Sequence, residues 1–320
     1  MYSVPRLLAC LLLSYPFFSV PAQAFEFETV IDRARALANE KYQPPPEVPG
    51  FLRDLNYQEY QAIRFNPEAS LWRQGRSRFQ VMMVPPGSFY THPVRLNQID
   101  ATGVQPIPFD KSAYSFPSDA LAKRIPADLG HAGFKLTFPF GEGTEQNQFL
   151  VFAGASYFRG VGADNRFGIS ARGIAVNTGL ASGEEFPSFV EFWLERPGAG
   201  SDRMRVYGLL NGPSVAGAYR FDIKPGQKTQ IDVTVELFFR KAVDQPGLAP
   251  LTSMFYYGEN TPRPAGEWRP QVHDSNGLLI HDQDSDEWLW RPLVNPSRLR
   301  LSYLQVKRLG GFGLIQRDTE

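Results

Sequence analysis

Short strand-like runs dominate the sequence from Phe79 onward, and most of them end at a turn signal built from Gly, Pro or Asn. In one run, Gln230–Arg240, four apolar residues alternate with polar ones: Ile231, Val233, Val235 and Leu237. A period of two is that of a strand with one buried face. The 320 residues include 28 Gly and 27 Pro, which favours many short strands over long helices. The pattern predicts an all-β fold, most simply one large antiparallel β-sandwich.

The predicted strands, in chain order, are Phe79–Val84, Phe89–Ile99, Gly133–Phe140, Phe149–Phe158, Phe167–Asn177, Phe189–Arg196, Met204–Leu210, Gly217–Ile223, Gln230–Arg240 and Leu299–Lys307. Ahead of them, the helical spacing of apolar residues predicts a helix over Phe25–Tyr42. Asn56 and Glu59 have the spacing of a capping box and predict a short second helix through Phe65. We expect these short N-terminal helices to clamp an edge of the sheet.

Residues 1–24 have the pattern of an export signal. An apolar stretch, Leu7–Val20, precedes Pro21–Ala24, which ends in the small-x-small pattern of a cleavage site. The apolar stretch is too short, and too interrupted by Pro16, to span a bilayer. We therefore predict a signal peptide at 1–24, a mature domain at 25–320 without a membrane span, and residence in a bacterial periplasm.

The cysteine count and the charge balance exclude several classes of protein. The only cysteine, Cys10, lies inside the predicted signal, so the mature domain would have neither disulfides nor thiol chemistry. Lys+Arg and Asp+Glu both number 33, so the chain has no global basic field that would bind nucleic acid. The sequence contains no phosphate-binding loop and no nucleophile elbow, and we predict no cofactor.

Aromatic rings, histidines and short carboxylates are concentrated between Pro264 and Pro292. The stretch contains three of the five tryptophans, two of the four histidines and four aspartates: Trp268, Trp288, Trp290, His273, His281, Asp274, Asp282, Asp284 and Asp286. Aromatic rings stack on the apolar faces of sugars, and carboxylates bind hydroxyls or transfer protons. The stretch therefore predicts a carbohydrate-binding cleft.

Two interpretations of Asp274 are open at this point. Trp268–Asp274 has the pattern of a strand, and Ser275–Gly277 that of a tight turn, because Asn-Gly adopts positive φ at little cost. Leu278–His281 and Glu287–Leu293 have the pattern of the strands that follow. Asp274 would then stand where a strand meets a turn. Its carboxylate either caps that turn through an Asx bond or takes part in chemistry in a cleft.

Two metal-binding alternatives have weaker support. Asp282, Asp284 and Asp286 resemble the start of a calcium loop, but the glycine and the later acidic ligand of such a loop are missing. We expect a solvated acidic turn instead. His273 and His281 would bracket the predicted hairpin with Asp282 nearby, but a hairpin alone does not supply the converging ligands that zinc needs. We predict no metal site.

A second group of charged residues follows Gly168. Glu184 and Glu185 precede an aromatic strand, where they either pair with Asp274 in acid–base chemistry or are solvated in a turn. Arg172 lies in an apolar strand, and a buried arginine is usually paired. It is therefore predicted either to line the cleft or to be the partner of one of these acids.

Ordered motifs along the chain carry a resemblance to a known family. They cover nearly all of the chain from Phe25 to Arg317: Leu129–Lys135, Gly154–Arg159, Gly168–Gly173, Ser182–Phe189, Phe192–Pro197, Leu248–Phe255, Arg269–Pro270, His273–Leu278, Glu287–Leu293 and Gly311–Gln316. In these motifs the chain resembles the periplasmic glucan biosynthesis protein G and D family (MdoG/OpgG).

The resemblance implies a large β-sandwich with a long cleft, followed by a smaller immunoglobulin-like domain. It implies a role in making osmoregulated periplasmic glucans, whose backbone is β-1,2-linked glucose, and some members resemble inverting glycoside hydrolases. By its place in the motif His273–Leu278, Asp274 resembles the general base. The implied partners are the glucan and the inner-membrane glucan synthase. Noncatalytic glucan binding or scaffolding is the alternative function.

The candidate sugar contacts are the stacking rings Tyr256, Tyr257, Trp268, Trp288 and Trp290 and the polar residues Arg172, Glu185, Arg269 and His273. Family chains continue well beyond the motif Gly311–Gln316, whereas this sequence stops at Glu320. We therefore expect the rest of the sandwich, the immunoglobulin-like domain and the general acid to be absent. We also expect this chain alone to be inactive and poorly stable, because its sheets would lack strands and a partner acid.

Overall fold

The computed structural model describes residues 25–141 and 143–316, so the predicted signal peptide and Cys10 lie outside the described residues. The helices in these ranges are α1 (Phe27–Asn39), α2 (Gly50–Arg53), α3 (Tyr57–Gln61) and α4 (Asp119–Arg124), with single 3-10 turns at Pro67–Ala69 and Lys111–Ala113. The strands are β1 (Arg64–Phe65), β2 (Gln80–Val84), β3 (Arg95–Asp100), β4 (Gly103–Pro106), β5 (Tyr114–Ser115), β6 (Gly133–Phe138), β7 (Asn147–Ala153), β8 (Tyr157–Gly160), β9 (Ser170–Arg172), β10 (Ile174–Val176), β11 (Ser188–Glu195), β12 (Met204–Asn211), β13 (Val215–Lys224), β14 (Gln230–Phe239), β15 (Pro246–Leu248), β16 (Leu251–Thr252), β17 (Phe255–Tyr257), β18 (Val272–His273), β19 (Gly277–Asp282), β20 (Glu287–Pro292) and β21 (Leu309–Ile315).

Two six-stranded sheets form a sandwich, which confirms the predicted all-β fold. The first sheet has the strand order β14-β13-β12-β11-β3-β4, and the second sheet has the order β16-β9-β8-β7-β6-β2. Neighbouring strands within these sheets are antiparallel except β3 and β11, which run parallel with Arg95 opposite Glu191. A parallel pair cannot be joined by a tight hairpin, so the chain between these two strands builds most of the second sheet before returning.

The core between the two sheets is a layer of phenylalanine rings. Phe134 and Phe152 of the second sheet stack with ring centroids 5.0 Å apart. Both rings contact Phe192 of the first sheet edge-on, at 5.1 and 5.3 Å. Phe221 of the first sheet contacts Phe152 at 4.9 Å. A buried aromatic ring removes roughly 150–250 Å² from water, so this layer supplies much of the hydrophobic stabilisation of the sandwich.

Helix α1 lies within the predicted range, but it packs on the outer face of the first sheet and not on a sheet edge. Val30, Ile31 and Ala34 are buried against Trp193 of β11 and Tyr207 of β12. The expected edge clamp is therefore wrong for α1, because β11 and β12 present apolar side chains on both of their faces. No helix in the described ranges combines the length and the apolar character that crossing a bilayer requires.

Helix α3 begins at the predicted capping box. The Asn56 side chain accepts a hydrogen bond from the backbone N–H of Glu59 at 3.0 Å, and the Glu59 carboxylate accepts one from the backbone N–H of Asn56 at 2.8 Å. The helix ends at Gln61, before the predicted end at Phe65, because Arg64 and Phe65 pair with β5 instead.

Several predicted strands are shortened, divided or absent. The strand predicted from Phe89 begins only at Arg95. The prediction Phe149–Phe158 divides into β7 and β8 at Gly154 and Ala155, whose φ angles are 80° and 44°. Positive φ reverses the chain there, which an extended strand cannot do. The predicted Phe167–Asn177 divides into β9 and β10, which belong to different sheets, and Leu299–Lys307 forms no strand.

A three-stranded sheet (β20-β19-β21) and a two-stranded ribbon (β17-β18) lie outside the sandwich sheets. In the ribbon, Phe255 lies opposite His273. The predicted strand Trp268–Asp274 is reduced to β18, which pairs with β17 and not with β19. The predicted hairpin across Ser275–Gly277 is therefore wrong, because the residues after His273 continue their backbone bonding toward Met254.

One lateral side of the sandwich is open between β14 and β16, the outermost strands of the two sheets. A trough of about 520 Å³ lies there. The alternating apolar residues of β14 line it: Ile231, Val233, Val235 and Leu237. Val233 and Val235 are 41% and 37% exposed, so the predicted apolar face of this strand is only partly covered by the described residues.

Candidate functional site

Asp274 is tied to Met254 through both its backbone and its side chain. The backbone N–H of Asp274 donates to the Met254 carbonyl at 2.8 Å, and Asp274 Oδ2 accepts from the backbone N–H of Met254 at 3.0 Å. Met254 precedes β17, so these bonds extend the pairing of the ribbon by one residue. The carboxylate therefore does not cap the turn that follows it, and the Asx interpretation is wrong.

Three further contacts hold Asp274 and its neighbour in place. Gln316 Nε2 donates to the Asp274 carbonyl at 2.8 Å, which ties the end of the three-stranded sheet to this position. The next residue, Ser275, is fully buried, and its Oγ lies 2.7 Å from Ser253 Oγ. Gly168, just before β9, packs against the Asp274 carboxylate. Asp274 is thus held where the ribbon, the three-stranded sheet and the edge of the second sheet meet.

His273 packs beside Asp274 in the ribbon. Its ring stacks on Phe255 with centroids 5.4 Å apart and an interplanar angle of 13°. His273 Nε2 lies 2.9 Å from Gln271 Oε1, and Nδ1 is buried without a partner in the described chain. Stacking and the Gln271 contact fix the ring plane, so the His273 ring has a fixed orientation beside Asp274.

Trp268 and Arg269 lie on the loop between the two ribbon strands. Trp268 is 81% exposed, so its ring is open to a ligand. Arg269 forms two bonds to Glu267, at 2.8 Å from Nε to Oε1 and 2.5 Å from Nη2 to Oε2. These bonds lower the pKa of Glu267 to about 2. Arg269 is therefore already bound to a carboxylate in this structure.

The two candidate tyrosines differ in exposure. Tyr256 is 46% exposed and lies on β17, one residue after the partner of His273. Tyr257 is 1% exposed, and its hydroxyl donates to the Arg269 carbonyl at 2.8 Å. The Tyr257 ring has no open face for a sugar, whereas the Tyr256 ring does.

The two remaining candidate tryptophans lie on one face of the three-stranded sheet. Trp288 is 62% exposed and stacks on His281 with centroids 4.4 Å apart and an interplanar angle of 7°. Trp290 lies two residues further along β20, and its ring covers Gly277, where an added Cβ would come within 2.6 Å of it. His281 therefore faces Trp288 and not His273, so the two histidines do not meet as the zinc alternative would have required.

Arg172 and Glu185 take part in a different set of contacts. Arg172 Nη2 donates to Glu184 Oε1 at 2.6 Å, with the Arg172 side chain 8% exposed, so the predicted pairing of a buried arginine with a nearby acid is confirmed. Glu185 accepts from the backbone N–H and the Oγ of Ser214, at 2.9 and 2.5 Å. Both acids are thus engaged in contacts that position the loop before β11.

No group of metal-ligating side chains converges within residues 25–141 and 143–316. The acidic turn binds its own neighbours: Asp282 Oδ1 accepts from the backbone N–H of Asp284, and Asp286 Oδ1 lies 3.0 Å from His281 Nε2. Asp284 also lies 3.6 Å from an Arg308 nitrogen.

Sequence reasoning missed three residues that shape this site: Met254, Gln316 and Gly168. Met254 and Gln316 act through a backbone N–H and a side-chain amide on distant segments, and no local pattern marks such contacts. Gly168 opens the motif Gly168–Gly173, and a glycine outside a turn signal indicates a close approach to another group. That signal was present in the sequence.

Comparison with known proteins agrees with the motif resemblance. A family model described as "Periplasmic glucan biosynthesis protein, MdoG" matches residues 25–320. "Glucans biosynthesis protein G" of Ralstonia nicotianae is 44% identical over 298 residues, covering 93% of this chain and 59% of the relative. The protein of the same name from Pseudomonas paraeruginosa is 41% identical over 305 residues, covering 95% of this chain and 58% of the relative. The chain thus spans about three fifths of the length of these curated relatives, and it belongs to the MdoG family of periplasmic glucan biosynthesis proteins.

Proposed function

We propose that the full-length protein containing this chain acts in periplasmic glucan biosynthesis by cleaving or remodelling a β-1,2-linked glucose backbone. Residues 25–320 would form its sandwich domain in the periplasm, in contact with the glucan and near the glucan synthase of the inner membrane. The proposal rests on family membership and on the geometry around Asp274.

The observation that carries the proposal is the unequal bonding of the two Asp274 oxygens. Oδ2 is fixed by the Met254 N–H, while within the described residues no hydrogen-bond donor contacts Oδ1. A carboxylate with one oxygen anchored and the other free suits a general base, because the free oxygen can take a proton in a fixed direction. Asp274 is the proposed base.

Inversion at the anomeric carbon requires a second carboxyl group as general acid. The two groups would lie about 6.5–9.5 Å apart, to leave room for the attacking water. Glu184 and Glu185 are both held in other contacts. We propose, as the family resemblance implies, that the acid belongs to the part of the full-length protein outside this chain, and we expect this chain alone to be inactive.

The exposed rings of the ribbon and of the three-stranded sheet β20-β19-β21 are the proposed sugar platforms. Trp268, Trp288 and Tyr256 each expose much of their ring, and Trp290 lies next to the turn that follows Asp274. Trp288 is backed by His281, so it would stack a glucose on its free face without losing its orientation. Arg269 would add a polar contact, because its side chain is 49% exposed beside its bonds to Glu267. His273 would act through its place beside Asp274, since its Nε2 is bonded and its Nδ1 is buried. Arg172, Glu185 and Tyr257 are left out of this set, since their polar groups or rings are already engaged.

Substitution of Asp274 by Asn in a full-length protein tests the catalytic role. We expect a loss of β-1,2-glucan cleavage of about 100-fold or more, since removing a general base typically costs 100- to 10,000-fold. The assay measures new reducing ends and their anomeric configuration. Asp202→Asn is the matched control, because Asp202 is exposed in the turn between β11 and β12. Cleavage that survives Asp274→Asn would remove the base assignment.

Glucan binding without chemistry is the second candidate, favoured by the exposure of Trp268 and Trp288. Calorimetric titration with β-1,2-glucan oligosaccharides separates the two functions. Saturable binding that Trp288→Ala weakens, with no product from the full-length protein, would establish a binding or scaffolding role instead of an enzyme.

A further inference from the structure

Lys135 lies on the outer face of the second sheet without a counter-charge. Its neighbours along β6, Phe134 and Leu136, are buried in the core, so the alternation of the strand directs Lys135 outward. The residues paired with it on the adjacent strands, Met82 and Val151, are apolar. Within residues 25–141 and 143–316, the Lys135 ammonium group has neither an ion pair nor a hydrogen bond. Burial alone lowers the pKa of Lys135, because the charged form loses the stabilisation that water provides.

A pocket of about 420 Å³ lies beside Lys135, between the chain around the end of α3 and the outer face of β2, β6 and β7. Among the described residues, its only charged lining groups are Lys135 and Arg64 of β1. The Arg64 guanidinium also has no ion pair or hydrogen bond within that part of the chain. Tyr60 lines the pocket as a neutral group, since its hydroxyl donates to the Pro85 carbonyl at 2.8 Å and burial raises its pKa. The pocket therefore holds two positive charges that no carboxylate of its lining offsets.

The rest of the pocket wall is apolar or neutral. It includes Phe65, Met83, Val84 and Tyr90, together with the side-chain amides of Gln61 and Gln148. Ligand sites typically enclose about 300–1,000 Å³ and combine apolar walls with a few polar groups. The pocket therefore has the size and composition of a ligand site, with rings for a small body and cations for its charge.

We propose that this pocket binds a small organic anion, whose carboxylate or phosphate group meets Lys135 and Arg64 and whose body lies against the surrounding rings. An opposite charge would restore to the ammonium the stabilisation that burial removes. Arg64 can bind an oxyanion through two parallel N–H donors. The pocket is separate from the candidate carbohydrate site, because β2, β6 and β7 form one end of the second sheet, whereas Asp274 packs against Gly168, just before β9 near the other end. The inference does not depend on the proposed function.

Calorimetric titration of the full-length protein with benzoate, phenyl phosphate and neutral benzyl alcohol tests the site. We expect saturable binding of at least one of the two anions, and no binding of the alcohol at the same concentrations. The anion that binds more tightly identifies carboxylate or phosphate as the preferred group. Equal binding of the alcohol, or no binding of either anion, would overturn the inference.

Three variants of the full-length protein show whether binding uses the two cations. Lys135→Met should weaken anion binding by about 10- to 100-fold, the range expected for the loss of a hydrogen bond to a charged group, and Arg64→Met should weaken it as well. Lys135→Met should also keep or raise the melting temperature, because it removes a partly buried cation that has no partner. Lys228→Met is the matched control, since Lys228 is exposed in the turn between β13 and β14. Undiminished binding by Lys135→Met, or an equal loss in Lys228→Met, would remove the assignment.

Carbon NMR of the natural protein with methylated lysines gives a readout that needs no substitution. The titration midpoint of the Lys135 amine should move to higher pH when the anion is bound, because the charged form gains a partner. The Lys228 signal reports any general effect of added salt. A Lys135 midpoint that moves no further than that of Lys228 would refute the proposed contact.

Discussion

The ion pair between Arg172 and Glu184 should contribute strongly to the free energy of unfolding. The two side chains are 8% and 21% exposed, and their closest N···O distance is 2.6 Å. The arginine carbon also lies 5.0 Å from the Phe186 ring and 5.3 Å from the Tyr157 ring. Removing the glutamate would leave a cation buried against two rings with no counter-charge.

The magnitude follows from the degree of burial. Breaking a fully buried pair from one side costs about 3–5 kcal/mol, and an exposed pair is worth about 0–1 kcal/mol. Glu184 is partly exposed, so we expect Glu184→Ala to cost about 3 kcal/mol, at the lower end of the buried range. In a double-mutant cycle with Arg172→Met, we expect a coupling free energy of about 2 kcal/mol.

The chain contains a matched control for this cycle. Arg35 and Asp32 on α1 also have an N···O distance of 2.6 Å, but their side chains are 53% and 72% exposed. Their coupling should be below about 0.5 kcal/mol and should vanish in high salt, because water screens exposed charges. Urea unfolding followed by tryptophan fluorescence measures both cycles. Equal couplings for the two pairs would refute the argument that burial sets the strength of the Arg172–Glu184 pair.

Three further expectations concern single groups. Tyr219→Phe should keep or raise the melting temperature, because the Tyr219 hydroxyl is buried without a bonding partner in the described chain, and an unsatisfied buried group costs about 1–3 kcal/mol; a marked fall in the melting temperature would contradict this. Burial lowers the pKa of His131 in the folded protein below the 6.5 of an ordinary histidine. The neutral side chain therefore stabilises the fold fully above pH 6.5, and this stabilisation is lost as the pH falls through the lowered pKa. The difference in unfolding free energy between the natural protein and His131→Gln should therefore shrink on acidification. Urea unfolding midpoints at about pH 7 and about pH 5, on either side of the ordinary histidine pKa, measure this change. Arg269 lowers the pKa of Glu267 to about 2 from 4.5, so a carbon NMR titration should show the Glu267 midpoint moving upward in Arg269→Met, and an unchanged midpoint would show that another group holds it.

The sandwich could be predicted because its strands carry local signals. The alternation in β14 and the turns that bound β12 and β13 depend on neighbouring residues, so they are visible in sequence. The sequence predicts the residues of helix α1 but not where the helix packs. Its packing against Trp193 depends on the outward face of a strand that is far along the chain. The sequence pattern of Leu299–Lys307 matched a strand, yet no partner strand bonds it among the described residues, and propensity alone does not form a sheet.

The candidate site was only partly accessible to sequence reasoning. The position of Asp274 at the end of a strand followed from local pattern, but the strand pairs with β17 through contacts that no spacing rule reveals. The same limit applies to Tyr257, whose ring and hydroxyl are taken up by the Arg269 loop. Aromatic composition predicted the class of surface, whereas the choice of exposed rings depended on long-range packing.

The parallel pairing of β3 with β11 has a consequence for folding kinetics. Arg95 and Glu191 are 96 positions apart, yet their side chains bond at 2.8 Å. The first sheet therefore cannot close around β3 until more than half of the chain is available, and loop closure over that distance precedes any gain from the pairing. Proteins dominated by such long-range pairings fold in milliseconds to seconds, slower than helical bundles. During that interval the edge of β11 that will pair with β3 is open. Substitutions in β3 and β11 should therefore slow folding more than substitutions in the β12–β13 hairpin that lower the stability by the same amount.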